Sequence, residues 1–249
     1  MRKIRSFYYY CSFEINTIRV LEKKIVIAID GPAASGKSTT ARLLAKKLGY
    51  AYVDTGAMYR AIALKALSES ILERLLVDDL LLKEFVEHTD IRMVGTQVWL
   101  DGRDVTAQIR SHEVSKVVSK VSALKAVREK LSAIQRQMGE AKGVVMDGRD
   151  IGTVIFPNAE LKIYMMASAR ERAKRRYAEL KSKNAALEVS LEALEAEIKQ
   201  RDEEDMNRPV SPLRKADDAV VLDTSSLTIE EQVEHIYRLA LEKIHCRKE

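Results

Sequence analysis

The run IVIAID leads at once into Gly31-Pro32-Ala33-Ala34-Ser35-Gly36-Lys37-Ser38-Thr39 and then into the helical stretch TARLLAKKL. Few folds accommodate that order. A short continuous apolar run bounded by glycine reads as a strand buried on both faces, and the glycine-bearing loop after it has the spacing G-x-x-x-x-G-K-[ST]. Such a loop turns backbone N–H groups inward to hold the β- and γ-phosphates of a nucleotide, and the helix behind it adds its positive N-terminal end. Lys37 is the candidate for neutralising charge that moves during transfer, and Ser38 for ligating magnesium.

Further short apolar runs, Ala51–Val53, Val144–Met146, Leu161–Met165 and Ala219–Leu222, are also continuous, and helical patterns separate most of them. The fold class is therefore α/β: a parallel sheet with helices on both sides and right-handed crossovers. In open parallel sheets ligands bind outside the carboxyl ends of the strands, so the chemistry belongs there. Between Arg60 and Lys142 the pattern changes. DIRMVGTQVWLDGRDVT alternates apolar and polar residues, with turn signals at Gly95-Thr96 and Asp101-Gly102, as an inserted antiparallel hairpin would. Helices over about 78–89 and 111–138 are expected to tie this lobe to the core, and Thr228-x-x-Glu231 has the spacing of a capping box for the last helix.

The 249 residues, 46% apolar, suffice for one sizeable core or a core with a smaller lobe. The net charge of +5 suits an anionic partner without separating nucleotides from nucleic acid. Two cysteines and four histidines form no metal-ligating or redox spacing, which fits a reducing, cytoplasmic setting. No run reaches the ~18 apolar residues of a membrane span. Residues 1–23 are basic and aromatic without a cleavage site, and are expected to be a loosely ordered extension.

A phosphate-binding loop alone leaves GTPases, transport ATPases, helicases and small-molecule kinases open. There is neither an N-K-x-D motif for guanine nor an L-S-G-G-Q signature. Arginines at strand ends narrow the field. Asp54-Thr55-Gly56-Ala57-Met58-Tyr59-Arg60 comes after the second run and Asp147-Gly148-Arg149-Asp150 after the third, so Arg60 and Arg149 can converge on one anion. If that anion is a monophosphate, Asp150 can accept hydrogen bonds from an exocyclic amino group, and Asp147 stands where a second-shell magnesium carboxylate would help. The competing expectation is that Asp147 merely caps its turn and that Arg149 and Asp150 form a surface ion pair.

The segment ASARERAKRRYAEL places Arg170, Arg172, Arg175 and Arg176 on one helix, and Arg201, Asp205 and Arg208 share a face of another. These two helices are expected to act as a mobile lid over about 168–208, with Arg170 and Arg175 as candidates for the ATP phosphates. The loop Asp223–Leu227 is expected beside the phosphate loop, lining an adenine pocket. Phosphoryl transfer to a phosphate needs no strong general base, because the attacking oxygen is already anionic. The obstacle is repulsion: two like charges ~4 Å apart at an effective dielectric of ~20 oppose each other by about 4 kcal/mol. Arginines and magnesium must offset it.

Taken in order from about Lys24 onward, IVIAIDGPAASGKST, DTGAMYR, DVTAQIR, VREKLSAIQRQ, VVMDGRDIGTVIFP, ASARERAKRR, IKQRDEEDMNR and AVVLDTSSL closely resemble the bacterial cytidylate kinase family. The resemblance implies a P-loop kinase fold: three layers, α/β/α, with a five-stranded parallel sheet, an inserted nucleotide-binding lobe over about 78–125 and a helical lid. It implies ATP-dependent phosphorylation of CMP and dCMP with Mg2+. It further implies that Ser119, Arg128 and Asp150 read cytosine, that Thr55, Arg60 and Arg149 surround the acceptor phosphate, that Arg201 and Asp205 contact the sugar, and that Arg208 reaches the transferring phosphoryl. Ala34 departs from the glycine of many nucleoside monophosphate kinases, and Thr55 from a frequent serine. A kinase for another monophosphate such as UMP or AMP is the alternative, and a non-kinase nucleotide-binding module a more distant one. No nucleic acid or membrane partner is expected, and a monomer is.

Overall fold

A computed structural model describes residues 23–183 and 189–245. The N-terminal extension up to residue 22, with Cys11, and also Cys246 lie outside the described residues. In chain order the elements are β1 (Val26–Asp30), α1 (Lys37–Leu48), β2 (Ala51–Asp54), α2 (Thr55–Ser68), α3 (Leu72–Leu75), α4 (Asp79–Glu87), β3 (Ile91–Val94), β4 (Gln97–Leu100), β5 (Arg103–Asp104), α5 (His112–Ala123), α6 (Lys125–Gly139), β6 (Val144–Gly148), β7 (Leu161–Met166), α7 (Ala169–Lys183), α8 (Leu191–Asn207), β8 (Val220–Asp223) and α9 (Ile229–His245).

Among the described residues, five strands form an all-parallel sheet in the order β2-β6-β1-β7-β8, and three form a separate antiparallel sheet, β3-β4-β5. The central strands β1 and β6 are buried along their whole length, as continuous apolar runs require. Ile27 and Ile29 pack on one face with Leu44, Leu48 and Ile236, while Val26 and Ala28 pack on the other with Val53, Val144 and Ile155. The edge strand β8 departs from that expectation: Val220 and Val221 are exposed, because no neighbour flanks it beyond β7.

The hairpin turns fall where expected. Asp101 and Gly102 both have positive φ (47° and 77°), the combination a type I′ turn demands. The expected single helix over 111–138 is two. Leu124, at φ −69° and ψ 123°, breaks it into α5 and α6, and Arg128 of α6 reaches back to the Ser122 carbonyl left at the end of α5 (3.0 Å). The Thr228–Glu231 capping box forms, with Glu231 N–H donating to Thr228 Oγ1 (3.2 Å) and Thr228 N–H to Glu231 Oε2 (2.8 Å).

Candidate active site

The loop after β1 approaches the sheet so closely that only glycine fits at its first position. A Cβ on Gly31 would lie 2.0 Å from the Met165 carbonyl oxygen of β7. Ala34, the departure from glycine, adopts φ 58°, so the loop still makes its left-handed turn at some strain. Lys37 folds into the loop, donating to the Pro32 carbonyl (2.5 Å) and to Ser35 Oγ (3.2 Å). Burial, and then the Arg149 charge, hold its amine well below the ordinary lysine range.

The strands β1, β2 and β6 each run one or two residues past their apolar stretch, and this places the polar groups. Asp54 and Asp147 are strand residues, paired in register across β2 and β6. Asp147 therefore does not cap a turn. Its carboxylate accepts from Ser38 Oγ (2.8 Å) and Tyr52 Oη (2.9 Å), while its carbonyl accepts from Thr55 Oγ1 (2.7 Å). Burial, with Asp54 next in effect, pushes the Asp147 carboxyl up. A hydroxyl and a carboxylate side by side are hard oxygen donors of the kind magnesium takes alongside substrate phosphates.

Arg149 and Asp150 do not pair with each other. Arg149 Nε donates to Asp205 of α8 (2.8 Å), and Asp150 holds the Arg128 guanidinium, with Arg208 Nη2 3.6 Å from its other oxygen. These partners are well buried; Arg128 and Asp150 are only 2% and 4% exposed. The surface ion-pair expectation is thereby corrected. Nη2 of Arg208 and Nε of Arg128 and Arg201 are buried without a hydrogen-bond partner, as is the hydroxyl of Tyr59.

One cleft gathers these groups. Ala33, Ala34, Lys37 and Ser38 line it on the phosphate-loop side, with Arg60, Arg110 and Arg201, and with Arg128, Arg149, Asp150, Asp205 and Arg208. Arg60 donates to Ser115 Oγ (2.8 Å), and its pKa falls to about 10 because it is buried and faces Arg201 and Arg110. Carboxylates do not balance this cluster: Asp54 serves Arg110 (2.7 Å) and Asp205 serves Arg149. Arginines held together at such a cost form an anion site.

Two expected residues stand elsewhere. Ser119 is half-buried outside the cleft lining, and Ser122, one turn on, lines it instead. Arg170 is exposed and pairs with Glu192 (3.2 Å) and Glu195 (3.1 Å) of α8. The inward arginines of α7 are others: Arg172 donates to the Ala33 carbonyl (3.1 Å), and Arg175 to the Ser35 carbonyl (3.3 Å) and to Thr224. Thr224 Oγ1 also donates to the Ser35 carbonyl (3.0 Å), so the Asp223–Leu227 loop does lie against the phosphate loop. Sequence reasoning missed Arg110, Tyr59 and Ser122. Arg110 and Tyr59 stand within DVTAQIR and DTGAMYR, two motifs already singled out, whereas nothing in the sequence marks Ser122 apart from its neighbours.

The family model for cytidylate kinase matches residues 27–242. The cytidylate kinase of Chloroherpeton thalassium is 61% identical over 226 residues, which cover 90% of this chain and 96% of that one. Those of Chlorobaculum tepidum and Bacillus subtilis are 55% and 49% identical, over 88% and 90% of this chain and 94% and 99% of theirs. With the motifs in order along nearly the whole length and the clustered arginines at the carboxyl ends of the strands, this chain belongs to the cytidylate kinase family.

Proposed function

We propose that the protein transfers the γ-phosphoryl group of ATP to CMP and dCMP, giving CDP and dCDP. The observation that carries this reading is the run of cations between the phosphate loop and Asp150: Lys37, Arg60, Arg110, Arg149, Arg201 and Arg208 face one cleft with too few carboxylates among them. Two phosphate groups, one on the donor and one on the acceptor, complete that balance. An oxygen of the acceptor phosphate attacks the γ-phosphorus in line, the bond to the β–γ bridging oxygen breaks, and ADP leaves with that electron pair. Lys37 and Arg208 attend the transferring group, while Thr55, Arg60, Arg110 and Arg149 hold the acceptor phosphate. The residues Gly31 to Thr39 wrap the donor phosphates, with Arg175 bracing the loop. Ser38 and Asp147 are the residues to hold Mg2+, which supplies charge neutralisation on the triphosphate when bound. Arg201 and Asp205 face the sugar.

Base choice falls to Asp150 and Arg128. The Asp150 carboxylate accepts from the exocyclic amine of cytosine, where uracil would present a carbonyl oxygen to it and leave buried polar groups opposed. Ser122 lines the cleft with Asp150 and Arg128, its hydroxyl donating to the Ser119 carbonyl (3.0 Å). We take the enzyme to act as a cytoplasmic monomer; among the described residues, no helix is long and apolar enough to cross a membrane.

Initial rates with ATP and magnesium against CMP, dCMP, UMP, AMP, GMP and dTMP test the reading. CMP and dCMP are expected to lead. A better rate on another monophosphate would overturn the acceptor assignment, and ATP hydrolysis indifferent to acceptor would overturn the kinase. In the same assay Asp150→Asn is expected to lower kcat/KM for CMP by about 10- to 100-fold, the worth of a hydrogen bond to a charged group, and to affect UMP much less. Equal losses on both would remove Asp150 from base recognition.

A further inference from the structure

The stretch after Asp150 is a five-residue π-helical turn, Ile151–Ile155, closed by bonds such as Phe156 N–H to the Ile151 carbonyl (2.7 Å). The first N–H groups of any helical turn have no partner inside it. An aspartate standing just before such a turn ordinarily accepts them with its own side chain. Asp150 occupies that position and makes no such bond. Its carboxylate is turned away, onto Arg128 and toward Arg208.

Another residue takes over that task. Asp30 accepts from Ile151 N–H through Oδ1 (2.8 Å) and from Gly152 N–H through Oδ2 (2.7 Å), so both of its oxygens are engaged. It comes from a strand 121 residues away in sequence and is the residue immediately before Gly31. Asp30 is 5% exposed, and burial pushes its carboxyl up to about 6 even with both N–H donors and Lys37 pulling the other way. A buried carboxylate is unfavourable unless fully bonded. This one is bonded at the point where the end of the donor strand meets the acceptor turn.

We propose that Asp30 is a positioning residue that caps the 151–155 turn in place of Asp150, and so leaves the Asp150 carboxylate free to face the base of the acceptor nucleotide. The inference rests on the cytidine-monophosphate reading of the cleft. Without Asp30, the nearest carboxylate able to satisfy those N–H groups is Asp150 itself, which must then leave Arg128 and the cleft. One side chain cannot both cap the turn and read the base.

Asp30→Asn is the test. The amide keeps the shape and one acceptor oxygen but turns an N–H2 donor toward the second N–H. The variant is expected to unfold cooperatively, to raise KM for CMP about tenfold and to narrow the CMP-to-UMP ratio of kcat/KM by a similar factor, the effect of one lost hydrogen bond to a charged group. The KM for ATP is expected to stay within about twofold. An unchanged ratio, or equal losses on CMP, UMP and ATP alongside a lower melting temperature, would show a structural prop only and overturn the inference. Should Asp30→Asn not fold, Asp30→Glu, which carries its carboxylate one methylene further, is read by the same ratio: a narrowed ratio supports the inference and an unchanged one overturns it. A wild-type enzyme with no preference for cytidine monophosphates would instead sink the functional reading, and this inference with it.

Discussion

Lys37→Ala is expected to lower kcat about a thousandfold, the scale on which losing one preorganised donor at a developing charge acts, equivalent to about 4 kcal/mol of transition-state stabilisation. The amine stands on the loop that would hold the donor phosphates. It is 5% exposed and held below its ordinary pKa by burial and by Arg149. An arriving triphosphate reverses that balance, because its negative charge favours the protonated form that burial disfavours. The fold is expected to survive. The side chain's hydrogen bonds go to Pro32 and Ser35 of its own loop, so its removal breaks no link to another element. Lys37→Arg is not expected to rescue, since a planar fork cannot replace a compact ammonium in that space. Single-turnover kinetics with ATP and CMP, together with a thermal melt, checks this; near-normal turnover in the alanine variant would remove the donor-site assignment.

Arg172→Ala is expected to destabilise the protein by about 3–5 kcal/mol, the usual result of removing one partner from a buried ion pair. For a chain of this size that is a fall in melting temperature of roughly 10 °C. The guanidinium meets both oxygens of Asp202 at 3.1 and 2.5 Å, and also donates to the carbonyls of Ala167 and Ala33 at 3.0 and 3.1 Å. It thus joins the end of β7, the phosphate loop and α8, the helix that brings Arg201, Asp205 and Arg208 to the cleft. Loss of Arg172 leaves the carboxylate of Asp202, only 9% exposed, without its counter-ion. Asp202→Ala is expected to be costly for the reciprocal reason, and the double variant to be markedly less destabilised than the sum. Equilibrium unfolding of the two single variants and the double one decides this: additive effects would show that the pair does not act as a unit.

The position of the site was legible in sequence where the chemistry is contiguous. Gly31 to Thr39 form one loop because strand, turn and helix succeed each other directly. Arg60 and Arg149 lie just beyond two strands whose apolar runs mark the same sheet edge. The shared face of Arg201, Asp205 and Arg208 came from helical spacing, although Arg208 proves to be the residue just past the last turn of α8. Helix phase relative to a neighbour was not legible. Four arginines on α7 look alike along the chain, yet Arg172 and Arg175 turn to the phosphate loop while Arg170 turns to Glu192 and Glu195. The same ambiguity holds for α5, where Ser122 lines the cleft and Ser119 does not, and where Arg128 bonds the Ser122 carbonyl.

The sequence by itself determined the strand–loop–helix of the phosphate loop and the chemistry of the donor side, since these depend on near neighbours in the chain. It also marked the parallel sheet and its inserted hairpin through the apolar patterning of each strand, although the strands that pair in the parallel sheet lie far apart in sequence. Only the tertiary structure decided which carboxylate answers which arginine. Asp205 rather than Asp150 meets Arg149, Asp150 meets Arg128, and Asp30 relieves Asp150 of capping its own turn. Those choices join elements 22 to 121 residues apart. In a buried cleft the outcome depends on which groups the packed helices and strands bring within reach of one another, and the linear spacing of charged residues does not contain that information.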